Sequence, residues 1–211
     1  MSGQAPGARG QRMEERLVRA ASERGVSEPG LERVVKAHRA AMALRDSPFS
    51  TLSSDQDPAY LHPGRVVLIL LQDLEEGDPD ALAAGALAES RDPALSVSAT
   101  VAEEVLGESA FALWTALPDV SWGGATGPDD DGELLEGLVT ADAVVQRIAL
   151  SEALDQLRHA HLWENAAERA RAAEVAREVL APAAARVHPV LERRFNWWVR
   201  RVGDSFRFGR K

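Results

Sequence analysis

From Gln11 onward, apolar residues return every three or four positions in nearly every stretch of the chain, the period of a helix with one buried side. No alternating run bounded by turn formers demands a strand. The pattern therefore predicts an all-α, multi-helix orthogonal bundle. Arg12 to Arg24 carries Met13, Leu17, Ala20 and Ala21 on one stripe. Ser27-Glu28-Pro29 reads as a helix start, opening a helix through Val34, Val35, His38 and Met42 to about Arg45. A Ser-, Asp- and Pro-rich loop follows, and Pro63 then starts a helix through VVLILL that Gly77 ends. Asp78-Pro79 caps ALAAGALAES, and Asp92-Pro93 breaks it. Two short helices are expected around 98–106 and 108–117. After an acidic, glycine-rich loop, a long helix from about Glu133 to Trp163 (with room for one break) precedes two more helical segments. Residues 1–10 read as disordered, 11–185 as one helical domain, and 186–211 as an amphipathic helix with a basic aromatic tail.

Composition narrows the function classes. The 211 residues include no cysteine, which excludes disulfides and thiolate metal sites and suits a reducing compartment. The N-terminus lacks the apolar core of a secretory signal, and the longest apolar run, Val66 to Leu71, is far short of the roughly 20 residues that span a bilayer. A cytoplasmic protein with no membrane partner is expected. The net charge of −9 is uneven: residues 41–185 carry −18, whereas residues 186–211, with 8 basic and 2 acidic side chains, carry +6. An acidic body argues against nucleic acid as a partner of the domain, although the tail could touch phosphate.

Four stretches carry a resemblance: AHR at 37–39, PAYLHPGRVVLIL at 58–70, LAAGALAES at 82–90 and LSEALDQLR at 150–158. In order and helical context they resemble consecutive signatures of the HD superfamily, nearest to the hydrolase domain of RelA/SpoT-type alarmone enzymes and their small relatives. The resemblance runs over about residues 30–165, with a longer loop at 46–60. It implies an HD-type bundle holding one divalent metal, usually manganese, that activates water against a phosphate ester. On the family pattern His62 matches the first ligand, of the His-Pro pair. Glu89 stands for the aspartate of the His-Asp doublet and Glu152 for the last aspartate ligand, each one methylene longer. Ala88 stands where the doublet's histidine would be and has no donor atom. Asp92 matches the first of two acids that handle the attacking water, and Pro93 replaces the second. Arg45, Arg65, Gln156 and Arg158 fall where the family meets its nucleotide, with Gln156 in place of an asparagine.

These departures predict a divergent HD protein with a degraded metal centre, in which guanosine nucleotide recognition or a regulatory role could persist. The first alternative is an active metal-dependent phosphohydrolase using His62, Glu89 and Glu152, with manganese or another divalent ion. The second is a helical module that pairs with itself or with another protein through its C-terminus. Ordinary readings stand beside these. His38 shares a stripe with Val34 and Met42 and reads as a packed histidine. His159 and His161 point to different helix faces and make a poor chelating pair. Asp129 to Asp131 lack the alternating spacing of a calcium loop, and neither Ser109 nor Ser151 has a triad pattern around it. The last helix is expected to lay Val190, Leu191, Phe195 and Trp198 on the bundle, leaving the FRFGRK end for a partner.

Overall fold

The computed structural model describes residues 8–46, 58–91, 95–118 and 128–208. Among them every regular element is helical. None of these helices is long and apolar enough to cross a membrane. The chain divides into two compact units, Met1–Leu117 and Pro118–Lys211.

In the first unit, α1 (Ala8–Glu23) buries the predicted stripe of Met13, Leu17, Ala20 and Ala21, and begins inside the segment expected to lack structure. The next helix, α2 (Glu28–Arg45), starts after an extended Ser27, with Pro29 in its first turn where a missing N–H leaves no bond unmade. A 3-10 turn, Pro58–Leu61, leads into α3 (His62–Leu68), which widens into a π turn over Ile69–Asp73. Glu75 then takes a left-handed φ of 57°, and the Glu76 carboxylate accepts from the backbone N–H of Gly77 and Asp78, so the chain reverses quickly. Asp78 caps α4 (Pro79–Leu87) by accepting from the Asp80 N–H at 3.0 Å.

All seven residues from Ala81 to Leu87 are buried, which makes α4 the central helix of this unit, packed on α2 and α3. Its small residues permit close approach. At Gly30 of α2 a β-carbon would stand 2.8 Å from the Pro79 side chain. A 3-10 turn, Ala88–Arg91, follows α4, and α5 (Ala99–Leu106) and α6 (Glu108–Thr115) complete the unit. Gly107, at φ 75°, makes the corner between them, a conformation that glycine adopts without steric cost.

The second unit holds α7 (Pro128–Thr140) and α8 (Ala143–His159), so the long predicted helix is broken at Ala141-Asp142. Asp142 stands extended as the first residue before α8. A 3-10 turn, Ala160–Leu162, closes α8. Asn165 caps α9 (Ala166–Val175), which passes through a π turn over Ala176–Leu180 into α10 (Ala181–Val187). His188 is extended, and α11 (Pro189–Phe208) turns back to pack on α8, α9 and α10. Leu191, Phe195 and Val202 form its buried stripe.

Candidate functional site

The C-terminal half of α2 decides what happens at the His62 end of the first unit. Val34, His38, Met42 and Arg45 lie on one helical face, at intervals of four, four and three. That stripe is buried, so Arg45 is carried inward with its chain and is only 1 % exposed. A guanidinium cannot shed its charge, so burial obliges it to find acceptors. One amino group of Arg45 donates to the carbonyl of Ala59 at 2.9 Å, and the other forms an ion pair with the Glu89 carboxylate. Its neighbour Asp46 accepts from the Tyr60 hydroxyl at 2.9 Å. The end of α2 therefore grips the 3-10 turn that delivers His62 and reaches the turn after α4 that carries Glu89.

His62 itself is 3 % exposed at the start of α3. Behind it Gly64 approaches α1 and α2 so closely that a β-carbon there would fall 2.3 Å from Met13 Cγ and 3.2 Å from His38 Nε2. His38 is fully buried, and neither ring nitrogen has a hydrogen-bond partner among the described residues. Burial lowers its pKa to about 4, against a raising contribution from Glu14 and a smaller lowering one from Arg39. Those two side chains pair with each other on the surface, at 2.6 and 2.8 Å.

The Ala88–Arg91 turn is held in place from the other side. Ser90 Oγ donates to the Leu87 carbonyl at 2.6 Å, and Trp114 Nε1 donates to the same carbonyl at 3.0 Å. Arg91 donates to the carbonyl of Leu117. Ala88 is buried and contributes no donor. Arg65 is half-buried on the first turns of α3, and Asp92 lies outside the described residues.

The remaining predicted residues share α8 of the second unit. Glu152, Gln156 and Arg158 are each half-buried there. Two residues of the same helix are buried more deeply, one turn apart and both 0 % exposed: Ser151, already considered as a nucleophile and without a triad pattern, and Asp155, which the sequence does not single out. Arg158 pairs with the Asp155 carboxylate at 3.4 Å, and His159 Nδ1 lies 2.8 Å from the Asp155 carbonyl and 3.8 Å from its carboxylate. Their signal was the apolar stripe itself, since Ile148, Ser151 and Asp155 follow helical spacing through a hydrophobic face.

Within the first unit, then, Arg45 and Glu89 meet directly, and Arg45 also holds the turn ahead of His62. Among the described residues, no group of three or more His, Asp or Glu side chains is placed to share one metal ion. No protein-family model matches the chain, and neither the curated proteins nor the solved structures contain a match.

Proposed function

We propose that this chain is a non-hydrolytic helical module built on an HD-type scaffold, in which the Arg45 guanidinium has taken over the electrostatic role of a metal ion beside Glu89. One observation carries the reading: a fully buried, permanently charged side chain pairs with the carboxylate that the resemblance assigns to the ion. The donor set fits a divalent ion poorly. Ala88 offers no atom to a metal, and a cation placed on Glu89 would face a fixed positive charge at short range in a water-poor setting. Metal–ligand distances must hold to about 0.2 Å, which leaves little room to share that carboxylate. The His62 end is braced in this chain by the Tyr60–Asp46 bond and the tight α1–α3 contact at Gly64.

The direct test is metal analysis and turnover. The purified protein, incubated with manganese and desalted, should hold well under one equivalent and release no pyrophosphate from a guanosine alarmone. Stoichiometric manganese that is lost in His62→Ala, together with pyrophosphate release, would establish the active phosphohydrolase instead. Calorimetric titration of the alarmone without metal asks separately whether recognition outlived the chemistry. Heat that is abolished by Arg65→Ala would make the module a nucleotide sensor.

A further inference from the structure

Independently of that reading, α11 of the second unit presents an arrangement that burial does not explain. Its core stripe of Leu191, Phe195 and Val202 faces inward. Trp197 falls off that stripe and is 48 % exposed, an unusual position for the largest apolar side chain. Its four helical neighbours, three and four positions before and after, are Arg193, Arg194, Arg200 and Arg201. The only acid among the described α11 side chains is Glu192. The indole is held in place: it stands at 86° to Trp198, the ring centroids 4.5 Å apart, and the Arg201 guanidinium stands 5.6 Å from its ring centroid. Trp198 in turn stacks on His161, whose neighbour Leu162 is 52 % exposed.

We propose that this surface binds single-stranded nucleic acid, with a base stacked on Trp197 and its flanking phosphates taken by the arginine pairs on either side. The two pairs are seven residues apart, roughly 10 Å along the helix axis at 1.5 Å per residue, with the flat ring between them. That order, cation pair, aromatic face, cation pair, is complementary to a chain in which phosphates alternate with planar bases. Guanidinium forks suit phosphate oxygens better than point charges do, and stacking tolerates any base, so sequence preference is weak. The net +6 of residues 186–211 supplies local attraction although the whole chain is acidic. A second copy offering its acidic segments would match the positive charge of this surface but leaves the exposed indole without a purpose.

The experiment is fluorescence anisotropy of labelled 12-mer oligothymidylate with the full chain at low and moderate salt. Binding is expected, with a log–log salt slope between about −2 and −3 for four arginine contacts. Trp197→Ala should weaken it about 10-fold, whereas Trp197→Phe, which keeps a stacking face, should retain most of it. The double change Arg193→Gln, Arg200→Gln should flatten the slope by about 1.4, two contacts at about 0.7 each. Circular dichroism of each variant confirms the fold. The proposal fails if the oligonucleotide does not bind at low salt, or if Trp197→Ala binds as well as the parent. It fails equally if inorganic polyphosphate competes as strongly as the oligonucleotide. A doubled mass by sedimentation that Trp197→Ala returns to monomer would assign the surface to a second copy and overturn it.

Discussion

At the scale of single residues, the decisive side chain is Arg45. Removing it as Arg45→Ala takes the ion-pair partner from the Glu89 carboxylate and one hydrogen bond from the Ala59 carbonyl, and should cost about 2 to 3 kcal/mol in urea unfolding. Replacing both partners, Arg45→Met with Glu89→Leu, should recover most of that loss, because apolar groups of similar volume have no charge to compensate. A double variant as unstable as the single one would show that the pair is not what holds this corner. His38 sets a pH dependence of definite sign. Its folded pKa of about 4 lies below the value near 6.5 expected when unfolded, so between those pH values the unfolded chain binds the extra proton. This contribution is intact above about pH 6.5 and is lost as pH falls toward 4, by roughly 3 kcal/mol. His38→Leu should flatten the denaturation midpoint between pH 7 and 4.5, and an unchanged pH profile would remove His38 as the cause. Much of this was legible. His38 shares its stripe with Val34 and Met42, and continuing that stripe three residues reaches Arg45, which the family pattern had assigned to nucleotide. Asp155 was less legible, because a carboxylate amid apolar residues reads equally as a solvated one until its neighbours are placed.

At the scale of elements, starts and stops were readable wherever local chemistry dictates them. Pro29, the Asp78-Pro79 pair and Gly107 act through their own backbone geometry, and their helices begin or end where expected. The π turns at Ile69–Asp73 and Ala176–Leu180 were not readable, since runs such as ILLQD and AREVL carry no residue that demands a widened turn. The break at Ala141-Asp142 lay inside a span where the periodicity continues on both sides. The contact between α1 and α3 gives the sharpest element-level prediction. Gly64→Ala would press a methyl against Met13 and should cost about 1 to 3 kcal/mol, seen as a lowered Tm. Adding Met13→Ala should cost less than the sum of the two single changes, because the second makes room for the first. Strict additivity would mean that the two helices do not meet there.

For the whole molecule, helical periodicity says where helices are and little about which of them cluster. Periodicity and composition set boundaries at residues 10 and 185, while along the chain one compact unit ends at Leu117 and the next begins at Pro118. The first unit encloses its own core, with Leu17, Met42, Val67, Leu82 and Leu106 all buried and α4 surrounded by neighbours. Residues 1–117 expressed alone should therefore give a helical circular dichroism spectrum and a cooperative thermal transition. A broad, featureless melt would show that this half depends on the rest of the chain.

The Arg45–Glu89 pair has one further consequence for a protein built this way. A positive charge attached to the polypeptide is present at full occupancy from the moment of synthesis. It cannot be withdrawn by a chelator, exchanged for a neighbouring ion or lost to a competitor for scarce manganese. A corner held by such a charge keeps its shape in any metal supply.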